Sequence, residues 1–294
     1  MLAAMLTVTL VASLAATALW QQWRAIEVES AERTRLQSLW VLSGALDWAR
    51  LILIEDGRTG GADHLAEPWA IALEEARLST FLSADKSNTA DNTLQQAFLS
   101  GRIEDVQSRM NVLNLLDGTK LSEPALLAFG KLFDQLGLPQ TELLRMADAL
   151  LMTSDTTPAA NNDHPLMPQR VEQLVWLGMS PRSLALLRPY VTLLPVRTPV
   201  NLNTASALVL HASVPALDMA QAQHMVSVRQ LSHFQSLADA SKVAGTGQLN
   251  PTDHSVNSRF FEVHGKLRLD QAVVEENSLL QRDGTTVQTL WRQH

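Results

Sequence analysis

Residue types that catalyse reactions or bind metals occur in this sequence, but their spacing matches no catalytic motif. The chain has no cysteine, which excludes disulfides, thiolate metal sites and cysteine nucleophiles. It also lacks a Gly-x-Ser-x-Gly motif, a glycine-rich phosphate loop and a His-Glu-x-x-His pattern. The eight histidines are His64, His164, His211, His224, His233, His254, His264 and His294. A membrane-tethered hydrolase would have to gather scattered acids or histidines in one cleft, so the sequence favours a protein that is not an enzyme.

One polar segment carries the oxygen-bearing side chains that a calcium ion prefers. Calcium takes six to eight oxygen ligands from carboxylates, amides and backbone carbonyls. The candidate ligands are Asp148, Asp155 and Asp163, with Asn161 and Asn162 in the same region. Their spacing is not that of an EF-hand, so we expect that the protein requires no cofactor. Ca²⁺ remains the one metal candidate.

Residues 200–243 resemble the helix-hairpin-helix units of DNA-binding uptake proteins. In those units a Gly-apolar-Gly hairpin offers backbone N–H groups to phosphate, whereas residues 214–217 here read Val-Pro-Ala-Leu. The charges of residues 196–250 nearly cancel, with Arg197, Arg229 and Lys242 against Asp218 and Asp239. The whole chain has a net charge of −7, so phosphate binding is poorly supported. We expect the unit's fold without nucleic-acid binding; a membrane-anchored helix-hairpin-helix DNA-binding protein is the alternative.

The N-terminal segment is apolar enough to cross a membrane. No charged residue precedes Arg24, and a helix of about 20 apolar residues spans the hydrocarbon core of a bilayer. A cleaved signal peptide is the alternative, but it normally begins with basic residues, which are absent here. We predict a retained membrane helix over residues 1–20. Its apolar surface and interfacial tryptophans are Leu6, Leu10, Leu14, Leu19, Trp20 and Trp23.

The same helix is predicted to continue well beyond the membrane segment. No proline or glycine lies between residues 1 and 43, and apolar residues then recur at spacings of three and four. This stripe consists of Leu36, Leu39, Leu42, Leu46, Ala49 and Leu53. We expect it to dock the helix on a sheet and on partner helices, and we expect the helix to end at Gly57.

Strand patterns flank a long helical region. Three hairpins are predicted from glycine-containing turns: residues 93–99 and 103–112 around Gly101, residues 259–263 and 266–269 around Gly265, and residues 273–281 and 285–291 around Asp283-Gly284. Helices are predicted between Ser122 and Gly137 and over residues 141–152, 169–177, 181–187, 205–212, 216–230 and 236–243. These elements predict a helical unit inserted into an antiparallel sheet.

A short asparagine pattern occurs twice. Residues 111–114 read Asn-Val-Leu-Asn before the first helical block, and residues 201–204 read Asn-Leu-Asn-Thr before the second. Asparagine can bond to neighbouring backbone groups and shape a turn ahead of a helix. Two similar helix entries and a true internal duplication both explain the pattern.

The ordered set of features resembles the K-type minor pseudopilins of bacterial type II secretion systems over nearly the whole chain. The segments that carry the resemblance are residues 46–50 (Leu-Asp-Trp-Ala-Arg), 105–116, the helix with Asp148, 189–191 (Pro-Tyr-Val), 200–206 (Val-Asn-Leu-Asn-Thr-Ala-Ser) and 258–263 (Ser-Arg-Phe-Phe-Glu-Val). Ordinary pilins carry a glutamate near the start of the mature helix, and K-type members lack it. Here the first acid is Glu27.

The resemblance implies an α+β fold, with a pilin-like long helix, an antiparallel sheet and an inserted all-α domain of helix-hairpin-helix or SAM-like units. The implied domain limits are 1–57, 58–112, 113–195, 196–250 and 251–294, the second and last being pilin-like. The resemblance also implies a single-pass protein of the bacterial inner membrane with its globular part in the periplasm. A family member is processed by prepilin peptidase, which removes a basic leader that this sequence does not show. The implied role is at the pseudopilus tip with I- and J-type minor pseudopilins, other pseudopilins and the inner-membrane assembly platform, and with calcium in some members.

Overall fold

The first element is one continuous helix. The computed structural model describes residues 1–78, 97–154, 166–245, 249–269 and 272–294, and helix α1 covers the 58 residues Leu2–Thr59. At 1.5 Å per residue, α1 is about 87 Å long. The helix ends at Thr59 and is followed by Gly60, whose φ is 66°, so the prediction that it ends at Gly57 is wrong. Gly57 is required for another reason: a Cβ atom there would lie 2.5 Å from the carbonyl oxygen of Gly284.

A five-stranded antiparallel sheet packs on the second half of α1. Its strands are β1 (Leu73–Arg77), β2 (Ala97–Asp105), β3 (Phe260–Leu269), β4 (Ala272–Asp283) and β5 (Thr286–Gln293), and they lie side by side in chain order. The hairpin predicted at Asp283-Gly284 is confirmed, because β4 and β5 pair around it. Gly284 has a φ of 58°, which suits a tight hairpin turn.

Two other predicted hairpins are single strands instead. Strand β2 runs through Gly101 and β3 runs through Gly265, and the two glycines lie opposite each other in the ladder. A Cβ atom on Gly265 would lie 3.1 Å from the Leu42 side chain, and one on Gly101 would lie 2.9 Å from the carbonyl oxygen of His264. These glycines therefore mark a close approach of helix and strands rather than turns.

The chain between β2 and β3 is mostly helical. Its α-helices are α2 (Glu123–Leu136), α3 (Gln140–Ser154), α4 (Pro181–Leu187), α5 (Ala207–Ser213), α6 (Met219–Leu231) and α7 (Leu237–Ala244). The limits predicted for α2 are confirmed, since it follows Ser122 and ends at a left-handed Gly137. The predicted helix 169–177 is a 3₁₀-helix over Val171–Leu177 instead. The predicted α+β class with a helical insertion is confirmed.

Two short parallel ladders tie the helical part together across long stretches of sequence. Met110–Asn111 pairs with Val191–Thr192, and Val200–Asn201 pairs with His254–Ser255. Each ladder places one of the two asparagine patterns beside a distant segment. Both ladders therefore join distant segments within the helical part itself.

The helical part lies at the end of the sheet that is farthest from the apolar start of α1. Leu42 packs in one cluster with Leu269, whereas Leu53, further along α1, packs with Phe261. Asp105, the last residue of β2, pairs with Phe261 at that same far end. Because the insertion begins directly after Asp105, it projects from this end of the sheet.

Candidate functional site

The first half of α1 presents a continuous apolar surface. The predicted membrane residues Leu6, Leu10, Leu14, Leu19, Trp20 and Trp23 all have exposed side chains. The hydroxyls in this stretch donate to backbone carbonyls three or four residues earlier, at 2.8–3.0 Å; they belong to Thr7, Thr9, Ser13 and Thr17. These groups are thus satisfied without water, as a bilayer requires. Among the described helices, α1 is the one long and apolar enough to cross a membrane.

The second half of α1 buries one face against the sheet. Leu42, Leu46, Ala49 and Leu53 are buried there, and Leu39 is partly buried. Leu36 departs from the predicted stripe, because its side chain is 56% exposed. The helix contacts the sheet only from about Ser38 onward. The leucine periodicity begins about one turn before this contact, so Leu36 fits the sequence pattern without lying on the packed face.

The opposite face of this half of α1 is also apolar. We call its exposed residues the outer stripe: Leu36, Trp40, Trp48 and Leu51. Trp40 is 78% exposed and Leu51 is 62% exposed. Large apolar side chains grouped on a surface are typical of protein–protein or membrane contacts. The outer stripe therefore qualifies as an interaction surface.

A groove of about 790 Å³ runs beside the outer stripe. Its walls are formed by α1, by the 3₁₀-helix Pro68–Ala70 and by strands β1 to β4. The lining is mostly apolar and includes Val41, Ala45, Trp48, Ile71 and Leu73. An apolar helix is the kind of partner that such a groove can bury.

A buried carboxylate joins the sheet to the helical part. Asp105 accepts hydrogen bonds from Asn201 Nδ2 at 3.0 Å, Thr204 Oγ1 at 2.5 Å, Ser258 Oγ at 2.6 Å and the backbone N–H of Gln107 at 2.8 Å. Burial raises the pKa of Asp105, and the four donors oppose that rise. Asn201 and Thr204 belong to the helical part, so one side chain connects both parts of the molecule.

A second polar group continues this connection to α1. Arg282 on β4 pairs with Asp63 at 2.5 Å and with Asp56 on α1, and it also donates to the carbonyl oxygen of Ser258 at 2.9 Å. Burial raises the pKa of Asp63 to about 6, although Arg282 opposes the rise. Asn201 Nδ2 donates to the carbonyl oxygen of Asp63 at 3.2 Å. This network, together with the histidine pair described next, is called the joint, and its other members are Asp63, Asp105, Asn201, Thr204, Ser258 and Arg282.

Two histidines stack on each other across the joint. The rings of His64, which follows α1, and His233, which follows α6, have centroids 3.7 Å apart and planes inclined by 13°. Both side chains are half-buried. Burial and the neighbouring His233 lower the pKa of His64. His64 Nδ1 accepts a hydrogen bond from the backbone N–H of Ala66 at 3.2 Å, which requires the neutral ring.

The two asparagine patterns do the same structural work. Asn111 and Asn201 each accept from the backbone N–H two residues later, at 3.1 and 2.9 Å. The side-chain amide of the second asparagine in each pattern forms two hydrogen bonds with one distant residue. It donates to the backbone carbonyl of that residue and accepts from its backbone N–H: Asn114 bonds to Thr198 in this way, and Asn203 bonds to Phe234. The patterns are therefore packing devices, and the structure gives them no exposed surface for a ligand.

The helix-hairpin-helix-like segment uses its basic residues internally. Arg229 is partly buried and donates to the carbonyl oxygen of Leu202 at 2.5 Å. Burial lowers its pKa to about 10. Arg197 pairs with Asp117 at 2.9 Å and Lys242 with Asp239 at 3.0 Å. The DNA-binding alternative is not favoured, because these cations are already engaged by protein groups.

The hairpin in this segment keeps its backbone shape without glycine. Ala216 has a φ of 57°, a left-handed conformation that normally favours glycine. The ammonium group of Lys131, on α2, donates to the carbonyl oxygens of His211 and Val214 at 3.4 and 3.2 Å. A neighbouring helix thus packs against the end of α5, where the motif would have to meet a phosphate.

A cluster of titratable groups lies on the sheet surface. Glu104 accepts from Arg102 and Arg109 at 2.6 Å each, and His264 Nε2 lies 3.7 Å from Glu104 and 3.8 Å from Glu262. The neighbouring His264 and the two arginines hold the pKa of Glu104 at about 2, although burial opposes this. A carboxylate held ionised by cations in this way is a poor proton donor, so the cluster has the character of an ion-pair network.

Only one of the three main calcium candidates lies in the described residues. Asp148 is exposed on α3, while Asp155 and Asp163 lie outside the described residues. Calcium binding therefore stays a prediction.

Sequence reasoning missed most of the joint. Asp105, Arg282 and Asp63 lie far apart in the chain, and no local spacing connects them. Asn201 was identified as a turn-forming residue, which is half of its role. The signal that could have been noticed is the run of small polar residues beside it, because Thr and Asn in an otherwise apolar stretch need buried partners.

Comparison with protein families gives a consistent match. A family model described as type II secretion system, protein K matches residues 200–257, and a second model with the same description matches residues 108–196. Together they span half of the chain. The type II secretion system protein K of Pseudomonas aeruginosa (strain PAO1) is 27% identical over 282 residues, covering 86% of this chain and 79% of that protein.

A solved structure shares this fold over most of the chain. A chain in the crystal structure of the GspK-GspI-GspJ complex from the type 2 secretion system of enterotoxigenic Escherichia coli matches with a TM-score of 0.62. The match covers 90% of this chain and 97% of that chain at 19% sequence identity. This likeness shows the fold, in which a long helix, a sheet and an inserted helical part occur together.

Proposed function

The chain belongs to the protein K family of type II secretion systems, and from this premise we propose that it is the minor pseudopilin at the tip of the pseudopilus. In this role it assembles with I- and J-type minor pseudopilins, initiates the filament and supports protein export across the outer membrane. The observation that carries the proposal is the position of the helical part at the end of the sheet farthest from the apolar start of α1.

This geometry suits a subunit that has no neighbour above it. In a filament of long helices, each subunit needs room for the next one along the axis. The helical part begins at Asp105 and fills the far end of the sheet, so it blocks that room. No acid precedes Glu27 in α1. A carboxylate inside the membrane segment is costly unless a neighbour pairs with it, and a terminal subunit has no such neighbour.

The exposed surface of α1 is the best candidate for the contacts with partner subunits. The outer stripe and the adjacent groove are apolar and exposed, and pilin-type partners would offer long apolar helices of the same kind. The complex in the matched structure is named for GspK, GspI and GspJ. We therefore assign the I- and J-type helices to this surface, with further pseudopilins and the inner-membrane assembly platform contacting the filament below.

The remaining assignments follow from the same surfaces. Residues 1–20 anchor the protein in the inner membrane by a single span, with the globular part in the periplasm. Prepilin peptidase acts on the precursor. The protein is non-enzymatic, since the described titratable clusters are occupied by ion pairs and hydrogen bonds. It requires no cofactor, and calcium binding near Asp148 would be an accessory feature.

The test is co-purification of the full chain in detergent with I- and J-type minor pseudopilins from the same genome. We expect a stoichiometric ternary complex. Leu51→Glu, in the outer stripe, should weaken it at least tenfold by placing a charge in an apolar interface. Leu231→Glu is the matched control, because Leu231 is 92% exposed but lies on the helical part. A folded chain that forms no complex would contradict the proposal and make titration with duplex DNA the next experiment.

A further inference from the structure

Gly44 is a glycine that the fold of this chain does not itself require. It lies in the interior of α1, where glycine weakens a helix relative to alanine. Its backbone is helical and lacks the positive φ that would favour glycine. A Cβ atom on Gly44 would meet no described atom within 4 Å, whereas one on Gly57 would meet the carbonyl oxygen of Gly284. The weakening of α1 at Gly44 is therefore not offset by a close approach within the described chain.

Gly44 forms a gap in a row of large exposed side chains. Trp40 and Trp48 lie four residues before and after it, so the three positions follow one another along one face of α1. The Trp40 side chain is 78% exposed and the Trp48 side chain is 51% exposed. A row of large residues at this spacing is a ridge that packs into the groove of a second helix. A missing side chain in the ridge is a hole of the kind that receives a side chain from a facing helix.

The hole opens into the groove beside α1. Gly44, Ala45 and Trp48 all line this groove, which Ile71 also lines. Gly44 is exposed. Small residues such as Gly44 and Ala45 allow the backbone of a second helix to approach closely. The hole and the groove therefore form one continuous apolar surface along one side of α1.

Position and charge indicate that an uncharged protein helix covers this surface. Gly44 lies about 36 Å along the helix axis beyond residue 20, the predicted end of the membrane segment, so lipid does not reach it in the anchored protein. Residues 36–54 carry two charges, and these belong to Asp47 and Arg50, which pair with each other at 3.1 Å. The surface thus offers no net charge to an ionic partner. The proposed tip role leaves one copy of this chain per filament, so the helix belongs to a different subunit.

We propose that Gly44 is the hole that receives one large apolar side chain from the long helix of a neighbouring minor pseudopilin. This inference rests on the proposed function and adds the residue that aligns the two helices. A side chain that enters at Gly44 fixes the height of the partner helix relative to α1. A shift of the partner by one turn, about 5.4 Å, would place the same side chain against Trp40 or Trp48. Gly44 therefore selects partner helices by the position of their large residues.

Filling the hole tests this proposal. The full chain in detergent micelles is titrated separately with the I-type and the J-type subunit from the same genome. Gly44→Leu should weaken the binding of at least one subunit about tenfold or more, because the inserted side chain loses its space. Its thermal midpoint of unfolding should stay at or above that of the parent chain, since leucine favours the helix and the site is open.

Alanine at the same position has a matched control on the helical part. Gly44→Ala should weaken the binding of the same subunit by a smaller factor than Gly44→Leu. Gly130→Ala, on α2, also replaces a glycine inside a helix, and a Cβ atom there would lie 3.7 Å from Gln140, an ordinary contact. We expect Gly130→Ala to bind both subunits like the parent chain. Only Gly44→Ala should combine a more stable fold with weaker binding.

A single thiol measures burial of the hole directly. The chain has no cysteine, so Gly44→Cys and Gln135→Cys, the latter exposed on α2, each carry one unique thiol. Alkylation by a maleimide is followed with and without the partner subunit, at about ten times the Kd of that variant. We expect alkylation at position 44 to slow about tenfold in the complex and alkylation at position 135 to stay unchanged.

Four outcomes would overturn the proposal. The first is unchanged binding of both subunits by Gly44→Leu although Leu51→Glu weakens it, which would show a docking surface without a hole. The second is a thiol at position 44 that reacts equally fast in the complex. The third is protection of this thiol by a second copy of the chain rather than by either subunit. The fourth is a lower thermal midpoint in Gly44→Leu, which would show that the chain's own fold needs the glycine. If the parent chain binds neither subunit, the proposed function fails first, so the two failures are distinguishable.

Discussion

At the scale of single residues, the molecule depends on a few buried polar groups that satisfy one another. Asp105 is the central example, since its oxygens accept four hydrogen bonds from donors that span almost the whole insertion. Removing the charge of such a group is not neutral, because its donors lose their acceptor in a site without water. Apolar packing alone would leave the orientation of the helical part less well defined.

We expect Asp105→Asn to lower the free energy of unfolding by about 2–4 kcal/mol. In this variant, the NH₂ group of the new asparagine would replace one carboxylate oxygen, and a hydroxyl or amide donor that now bonds to that oxygen would lose its acceptor. Chemical denaturation of the full chain in detergent would measure the loss. Asp117→Asn is the matched control, since the Asp117 side chain is 72% exposed and pairs with Arg197 at the surface. Its expected effect is below about 1 kcal/mol; an equal loss in both variants would contradict the role of Asp105.

At the scale of elements, the two glycines Gly44 and Gly57 of α1 differ in the space around them. A Cβ atom on Gly57 would meet the carbonyl oxygen of Gly284 at 2.5 Å, whereas one on Gly44 would meet nothing within 4 Å. Glycine in a helix interior costs about 1 kcal/mol relative to alanine. The helix therefore accepts this cost at Gly57 in order to pass close to the turn between β4 and β5.

We expect Gly57→Ala to lower the thermal midpoint of unfolding and Gly44→Ala to raise it. The first forces α1 away from the β4–β5 turn, at a cost of about 1–3 kcal/mol. The second gains about 0.5–1 kcal/mol of helix stability, because alanine restricts the unfolded chain. Parallel thermal melts of the two variants measure both signs. A similar gain in both would show that the approach to Gly284 carries no packing constraint.

At the scale of the whole molecule, the sheet and the helical part have largely separate cores. The clusters between α1 and the sheet, which contain Leu46, Leu53 and Leu267, include no residue of 106–259. The helical part has its own cluster, built around Phe129, Phe133 and other buried residues of 110–256, with Ala62 from the loop after α1. Beside the polar joint, one small apolar cluster connects the two parts, in which Val106 and Leu194 pack with Phe260 and Leu279. Because each part still has most of its core to itself, the two are expected to fold with some independence.

We expect that a short turn in place of residues 107–258 leaves α1 and the sheet folded. Asp105 and Phe261 are paired in the ladder, so their strands need only a few residues to connect. Hydrogen exchange of the β3 and β4 amides should stay slow in this shortened chain in detergent. Fast exchange throughout the sheet would instead show that the helical part is needed for the sheet to form.

Local chemistry in the sequence determined the long apolar helix, most helix limits and the Asp283-Gly284 hairpin, because each depends on residues that are neighbours in the chain. It also supported the family resemblance, since the order of such local features can be read without a structure. Only the tertiary structure decided the roles of Gly101 and Gly265, which look like turn residues but lie opposite each other in the ladder, with Gly265 against Leu42. It likewise decided that Leu36 faces outward. The joint, too, was decided only by the tertiary structure. Folding buries polar residues that are distant in the chain, such as Asp105 and Asn201, so that they must bond to each other, and burial is a property of the folded chain as a whole.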